Sequence, residues 1–418
     1  MIERLKNSSF FRAVLLLSSG SVIAQGIRAA AMPVITRIYS PETMGVYTYL
    51  ISISAIFMGV ANLRYEVAIV TDKDDTHVFP LIKLCSIVGL FLTIFASIGF
   101  GVYFYIKGKP LLWSLLLFFN ILAYSLTNIL TAFNNRNKEY RLISSMYIVR
   151  TSVQFVLAII LGLISPIAPC LMIPYVLGEY MGITRQARSL RGHFREIFAF
   201  ELDKVRSVAI EHKKQPLFST PALLANSLSY SLITIFIESL FGLEAVGFYS
   251  ISVSLLGLPL AVIGGNISKV FVQRASGEYA SMGTYKQTFK KTFWVLMALS
   301  IPMVLVMYFF ATPLCRFIFG AEWGLSGKYI MILAPMFGIR FITSALSPAF
   351  TIVRKQQIEL FLQGVFLISN LASYFITKEK NLSIEGFLTI VSVLFSFAYL
   401  LYLIFIFIYS RKQIHKEL

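Results

Sequence analysis

The chain has 418 residues, of which 57% are apolar and only 14% charged, with a mean hydropathy of +0.75. Those proportions exclude an ordinary water-soluble domain and place the chain in a lipid bilayer. The formal charge of +17 reads as a membrane-topology signal plus attraction to anionic headgroups, so no nucleic-acid partner is needed to explain it.

Apolar runs of roughly 20 residues, enough to cross about 30 Å of hydrocarbon as helix, recur from end to end. Twelve are expected, near residues 12–36, 44–70, 80–105, 111–133, 142–163, 167–184, 216–240, 246–272, 288–312, 325–350, 357–377 and 385–409. A membrane barrel would show short alternating segments instead. The fold class is therefore all-α, a polytopic membrane protein of about 12 transmembrane helices. The first run follows Arg4, Lys6 and Arg12 in the manner of a signal peptide, but its apolarity continues past Ser18 to Ser21, and it reads as an uncleaved span. Cys85, Cys170 and Cys315 lie in or beside apolar runs without close spacing, so neither a disulfide nor a metal site nor a cofactor is expected.

Between the first two runs lies the polar hinge Arg37-Ile38-Tyr39-Ser40-Pro41-Glu42-Thr43-Met44-Gly45-Val46-Tyr47, and the segment from Leu240 to Tyr249 repeats it. Glu42 and Glu244, Gly45 and Gly247, and Tyr47 and Tyr249 are each 202 residues apart. A repeat of that period means two similar lobes, here residues 1–184 and 216–418 joined by a linker over 185–215. Six spans per copy make both lobes enter the membrane in the same direction, as a parallel pseudo-two-fold repeat. Transporters built this way rock one bundle against the other around a central cavity.

In the first span Gln25 and Arg28 lie one turn apart, with Pro33 beyond them to kink the helix. An Arg near mid-span costs about 2.5–3.5 kcal/mol on the milder insertion scale, so each needs a partner, a watery cavity or a substrate. Arg28 is the best cavity candidate, with snorkelling to the outer surface as the alternative. The second span carries Arg64-Tyr65-Glu66 before the acidic loop Asp72 to Asp75; residues two apart on a helix point to nearly opposite faces, so Arg64 and Glu66 are expected to meet different neighbours. For each, an ion pair to another helix and a substrate role both stay open. Lys83 and Lys269 sit close enough to the cytoplasm to snorkel. Arg150 and Gln154 share a face of the fifth span, and Arg340 lies near the middle of the tenth. Glu66, Glu179 and Glu238 are the acids available to carry a coupling ion. Asn266 stands 202 residues after Arg64, so the lobes repeat in frame but not in charge.

Inside the linker, Phe194, Ile197, Phe198, Leu202 and Val205 recur at helical spacing, with Arg195, Glu196, Asp203, Lys204 and Arg206 on other faces. This is a basic amphipathic helix on the cytoplasmic surface, serving as a tether or as a regulatory or partner-binding element. Most Lys and Arg fall in the linker and in the other segments on its side, which places both termini in the cytoplasm. Pro216, Pro221, Pro259, Pro302, Pro313, Pro335 and Pro348 cluster in the second lobe, which is expected to be the more mobile.

The residues carry a resemblance. The hinge from Pro33 to Tyr47, the segment Arg64-Tyr65-Glu66-Val67-Ala68-Ile69-Val70, the run Gln215-Pro216-Leu217-Phe218-Ser219-Thr220-Pro221, and Phe241-Gly242 through Gly247-Phe248-Tyr249 with Leu258-Pro259 resemble the polysaccharide-exporting flippases of lipid-linked O-antigen and capsule repeat units. These are similar in turn to the multidrug/oligosaccharidyl-lipid/polysaccharide exporter superfamily. The resemblance implies a transporter in the bacterial inner membrane, not an enzyme, that moves undecaprenyl-pyrophosphate-linked glycan from the cytoplasmic to the periplasmic leaflet, beside a glycan polymerase and a chain-length regulator. Arg28, Arg64, Arg150 and Arg340 would then hold phosphates while Gln25, Gln154, Asn226, Asn266 and nearby Tyr residues meet sugars. A multidrug antiporter of the same architecture fits the intramembrane excess of Arg less well. A lipid II flippase commonly has extra helices. A membrane glycan polymerase would carry a large outside loop, whereas the longest loop here is the cytoplasmic linker, and no catalytic constellation appears.

Overall fold

The computed structural model describes residues 9–193, 196, 202–353 and 355–411, and all regular structure among them is helical. Two compact units divide the chain at Ser231 and Leu232. The first holds α1 (Ser9–Ile38), α2 (Pro41–Met58), α3 (Tyr65–Thr71), a 3-10 turn (Asp75–His77), α4 (Val78–Ile106), α5 (Leu112–Arg136), α6 (Tyr140–Ile164), α7 (Pro169–Gln186), α8 (Leu202–Glu211) and the start of α9 (Thr220–Phe241). The second holds the rest of α9, then α10 (Leu243–Pro259), α11 (Gly265–Met282), α12 (Lys286–Phe319), α13 (Gly324–Leu346), the single turn α14 (Ala349–Ile352), α15 (Gln356–Lys380) and α16 (Ile384–Arg411).

Among the described residues nine helical segments are long and apolar enough to cross a membrane. The remaining passages are α1, the interrupted α2–α3 pair, and α7, which has 18 residues and carries Glu179 and Arg185. Together they make the all-α architecture of twelve passages, six before α8 and six after it.

The two hinges form for different local reasons. Ser40 caps α2 in extended backbone, its Oγ accepting the Thr43 N–H at 3.3 Å, with Pro41 in the first turn where its missing N–H does no harm. Behind it the buried Tyr39 hydroxyl lies 2.7 Å from the Ala158 carbonyl and 3.1 Å from that of Cys170, tying the hinge to α6 and the start of α7. Gly242 instead turns between α9 and α10 with φ 88°, a conformation a side chain resists.

Beyond each hinge the second helix is interrupted. In the first unit α2 ends at Met58, Leu63 and Arg64 adopt left-handed φ of 47° and 64°, and α3 restarts at Tyr65. The buried Asn62 holds this break, its amide donating to the Cys85 carbonyl at 3.2 Å and to Ser125 Oγ at 3.0 Å. Broken helices survive in lipid only where protein or water satisfies the freed backbone. In the second unit Pro259 is followed by a π-helical turn, Leu260–Gly264, and Asn266 bonds back into it, donating to the Val262 carbonyl at 2.6 Å. Wide turns of this kind relieve the clash that proline creates in a regular helix.

Small residues and hydroxyls bring the helices close, as expected where lipid supplies no hydrophobic drive between them. In the second unit Ser252 Oγ donates to the Ser326 carbonyl (2.8 Å), Ser326 Oγ to that of Phe248 (2.9 Å), and Ser300 Oγ to that of Gly338 (2.9 Å). Large apolar side chains such as Phe91, Phe95, Phe309 and Phe397 point outward.

One end of the first unit gathers Tyr65, Ile69, Leu81, Cys85, Leu130 and Phe133 into a core that also takes Val205 and Val208 from α8. The linker helix thus packs on protein. Leu202 is 52% exposed, and Phe194, Ile197 and Phe198 lie outside the described residues. Arg136, from the last turn of α5, pins the loop after α3 by donating to the carbonyls of Ile69 (2.9 Å) and Asp72 (2.7 Å) and to the Asp75 carboxylate (2.5 Å). Burial alone would push the Asp72 carboxyl up, but bonds from the Asp74 N–H and the rings of His77 and His212 outweigh it and hold the group well below the usual carboxylate range.

Candidate functional site

Within the first unit α1, α5, α6 and α7 surround a hollow of about 210 Å³. Each helix turns a polar stripe toward it: Tyr124, Asn128 and Thr131 from α5, Tyr147, Arg150 and Gln154 from α6, and Tyr175 and Glu179 from α7, with Arg28 from α1. The spacings of three, four and seven residues put each set on one helical face. A wider, more open hollow of about 740 Å³ shares Tyr124, Asn128, Thr131 and Tyr175 and adds Arg64, Glu66 and Asn135.

Room for Arg150 comes from α7. A Cβ on Gly178 would stand 2.8 Å from the Arg150 carbonyl oxygen, and one on Gly182 would stand 3.3 Å from Arg150 Cδ. Arg150 pairs with Glu179, and both side chains are mostly buried, 15% and 11% exposed. Gln154 donates from Nε2 to the Tyr47 hydroxyl at 3.1 Å, and the Tyr47 and Tyr175 rings meet edge-on at 5.9 Å. Arg28 is exposed, and no ion pair involves it among the described residues. The hollow thus presents one uncompensated guanidinium, one guanidinium held by a carboxylate, and a wall of hydroxyls and amides. That set suits an anionic group flanked by neutral polar ones, because a guanidinium fork grips phosphate oxygens in two parallel bonds while hydroxyls and amides replace water.

The other expected residues are spread more widely. Arg64 and Glu66 do not meet different neighbours: Arg64 Nη1 lies 3.5 Å from Glu66 Oε1. The helical rule fails there because Arg64 precedes the helix in left-handed backbone, which swings its side chain toward the first turn of α3. Gln25 is half-buried on α1 and Asn226 half-buried on α9, neither lining the hollow. In the second unit, Arg340 on α13 places its guanidinium 5.1 Å from the Phe337 ring centre, Glu238 is half-buried on α9, and Asn266 is exposed on α11. Tyr124, Tyr147 and Tyr175 are expected from the sequence only as unnumbered tyrosines near the arginines, and Asn128 and Thr131 not at all. Their signal in the sequence is a period of three and four in neutral polar residues, weaker than that of a charge because such side chains are common at membrane depth.

The fold is similar to that of the lipid II flippase MurJ in an inward closed conformation, with a TM-score of 0.69 at 12% identity, covering 94% of this chain and 87% of that one. It is also similar to a multidrug resistance MATE family transporter of the MOP superfamily. The inward-facing form gives a TM-score of 0.66 at 13% identity over 93% of this chain and 94% of that one. The outward-facing form gives 0.60 at 12% identity over 98% and 96%. No curated protein matches the chain in sequence. A family described as polysaccharide biosynthesis protein matches residues 34–326, a stretch that takes in both hinges, both helix interruptions and every lining residue of the hollow except Arg28. As the four motifs implied, the chain belongs to this family of polysaccharide biosynthesis proteins.

Proposed function

We propose that the protein is a flippase for undecaprenyl-pyrophosphate-linked oligosaccharide repeat units, of the O-antigen or capsule kind, moving them from the cytoplasmic to the periplasmic leaflet of the bacterial inner membrane by alternating access. The observation that carries this reading is the hollow of the first unit, where Arg28 stands beside three stripes of hydroxyls and amides in a chain of a polysaccharide biosynthesis family. A pyrophosphate with sugars attached cannot enter hydrocarbon unaided, so its path must substitute guanidinium and hydroxyl groups for water while the polyprenyl tail stays in lipid.

In this reading Arg28 takes the phosphates first and Arg150 second. Glu179 occupies Arg150 while the site is empty; an arriving pyrophosphate, with more charge and more acceptor oxygens, displaces it, and the freed carboxylate takes up a proton or cation. Substrate arrival and ion uptake are coupled through one guanidinium. The arginines stay at fixed depth as the helices tilt, because moving each negative charge outward through an inside-negative potential releases about 2.3 kcal/mol per 100 mV only if no cation travels with it. Arg64, Arg340, Gln25, Asn226 and Asn266 are candidates for contacts elsewhere on the route, and Glu66 and Glu238 for further ion carriers. The positive-inside bias places both termini in the cytoplasm, and a glycan polymerase and chain-length regulator act downstream on the delivered units.

A multidrug antiporter would instead need intramembrane carboxylates open to a cationic drug, whereas Glu66 and Glu179 both face arginines. The test is a leaflet-resolved assay of the lipid-linked glycan in cells lacking the protein. Accumulation on the cytoplasmic side is the expected result; unpolymerised units on the periplasmic side would show a polymerase and overturn the assignment.

A further inference from the structure

We propose that Asp72, His77, Glu211 and His212 form a binding site for one divalent transition-metal ion of the zinc type, which staples the linker helix α8 to the loop between α3 and α4. One ligand atom from each of the four residues lies within 4.8 Å of the others. Asp72 Oδ2 is 2.9 Å from His77 Nδ1 and 2.9 Å from His212 Nε2, and His77 Nδ1 is 3.8 Å from Glu211 Oε2. In a tetrahedral site with bonds of about 2.0–2.1 Å the ligand atoms stand about 3.3–3.4 Å apart. These three separations bracket that edge, and a pair at the 4.8 Å limit would close by about 1.4 Å, within reach of side-chain rotation, to complete the shell around an ion.

The donor set fits the ion. Two neutral imidazoles and two carboxylates are ligands that zinc and its neighbours accept, and their charge cancels that of a divalent cation. The ligands are aimed before an ion arrives. Asp72 Oδ1 is taken by the Asp74 N–H at 2.9 Å, which leaves Oδ2 facing the rings. The second ring nitrogen of His77 lies 3.7 Å from Asp74 Oδ2, close enough for the carboxylate to favour a ring that carries positive charge or a bound cation. Arg136 anchors the backbone beneath Asp72, and Val205 and Val208 seat α8 so that its last residue and His212 reach the same point. The Asp72, His212 and His77 side chains are 9%, 19% and 26% exposed, while Glu211, at 53%, stands at the mouth.

Two ligands come from the loop after α3 and two from the end of the linker helix, more than 130 residues further on. That separation is why sequence spacing gave no metal motif. The bound ion holds the C-terminal end of α8 immediately before Lys213 and Lys214, where the chain runs toward α9.

The experiment uses the full-length protein, free of any histidine tag, in lipid nanodiscs after chelator treatment, titrated with Co²⁺ and then with Zn²⁺. The expected result is one equivalent of Co²⁺ with the intense visible absorption of a tetrahedral site, displaced by Zn²⁺, a higher thermal midpoint with Zn²⁺, and slower trypsin cleavage at Lys213 and Lys214. His77→Ala and His212→Ala each weaken binding at least about 100-fold, and Asp74→Asn, which removes the carboxylate charge beside the His77 ring, about 10-fold. A wild-type chain with no stoichiometric Co²⁺ absorption overturns the proposal without recourse to any variant. So does a double His77→Ala, His212→Ala variant that binds as the wild type does. A wild-type midpoint indifferent to metal, but lowered by either substitution, would make the cluster a hydrogen-bonded latch and not a metal site.

Discussion

Ser40 and Gly242 stand 202 residues apart, and each begins the second helix of its copy, one with a hydroxyl cap and the other with left-handed backbone. Further along, the same divergence recurs. The first copy breaks its helix with left-handed Leu63 and Arg64 and places an Arg64–Glu66 pair there, while the second inserts a π-helical turn after Pro259 and places Asn266. Deeper in each unit, the first turns Arg28, Arg150 and Glu179 toward its hollow. The second buries a neutral stripe on α15, Gln363, Asn370 and Thr377 at a seven-residue period, 7%, 0% and 2% exposed. The repeat has kept the places where helices must bend, which are set by packing, and let the charge at those places diverge. Under the proposed function, a substrate with one anionic end would need its main guanidinium grip in one unit only, with Arg340 of the second unit in a lesser role.

That comparison can be attacked first at the buried ion pair of the charged unit. Glu179→Gln leaves the Arg150 guanidinium buried without a carboxylate and is expected to lower stability by about 3–5 kcal/mol. Thermal denaturation of the purified protein in nanodiscs checks it. Replacing both partners by Met should restore the melting temperature while transport stays lost, which separates a structural pair from a working one.

Next in size is Arg28→Ala, expected to reduce glycan delivery roughly 30-fold, the loss of one charged hydrogen-bonded contact of about 2 kcal/mol. Arg28→Lys keeps part of the activity because the charge survives without the fork. Arg340→Ala, measured alongside, should lose less. Equal losses would mean that both units grip the headgroup, and the asymmetry drawn above would be wrong.

The smallest effects sharpen the hinge comparison. Gly242→Ser imposes a side chain on φ 88° and should cost about 1–2 kcal/mol, whereas Ser40→Gly at the matching position should cost only a few tenths. If the two exchanges cost the same in thermal melts, the copies use one capping device and not two.

Much of this was legible beforehand. Continuous apolar runs reveal spans because hydrocarbon demands them, and the hinge repeat reveals the duplication because turns need particular residues. Arg28, Arg150, Gln154 and Glu179 stood out because charge and amide in a greasy run are costly. The pairing of Arg64 with Glu66 did not, since it depends on a backbone excursion at Leu63 and Arg64 that periodicity assumes away. Nor did the stripe Tyr124, Asn128, Thr131: tyrosine and threonine are common at membrane depth, and only the neighbouring helices show which face meets a hollow.

By itself, then, the order of residues determined that this chain is an all-helical membrane protein, duplicated, basic, and burdened with arginines that need an explanation. Those are consequences of solvent and of local turn chemistry, which act over a few residues. Only tertiary packing decided that Arg150 is held by Glu179 while, among the described residues, no carboxylate pairs with Arg28, and that His77 and His212 converge on one carboxylate. Such meetings are set by which helix faces touch across a hundred residues or more, a quantity no local pattern contains.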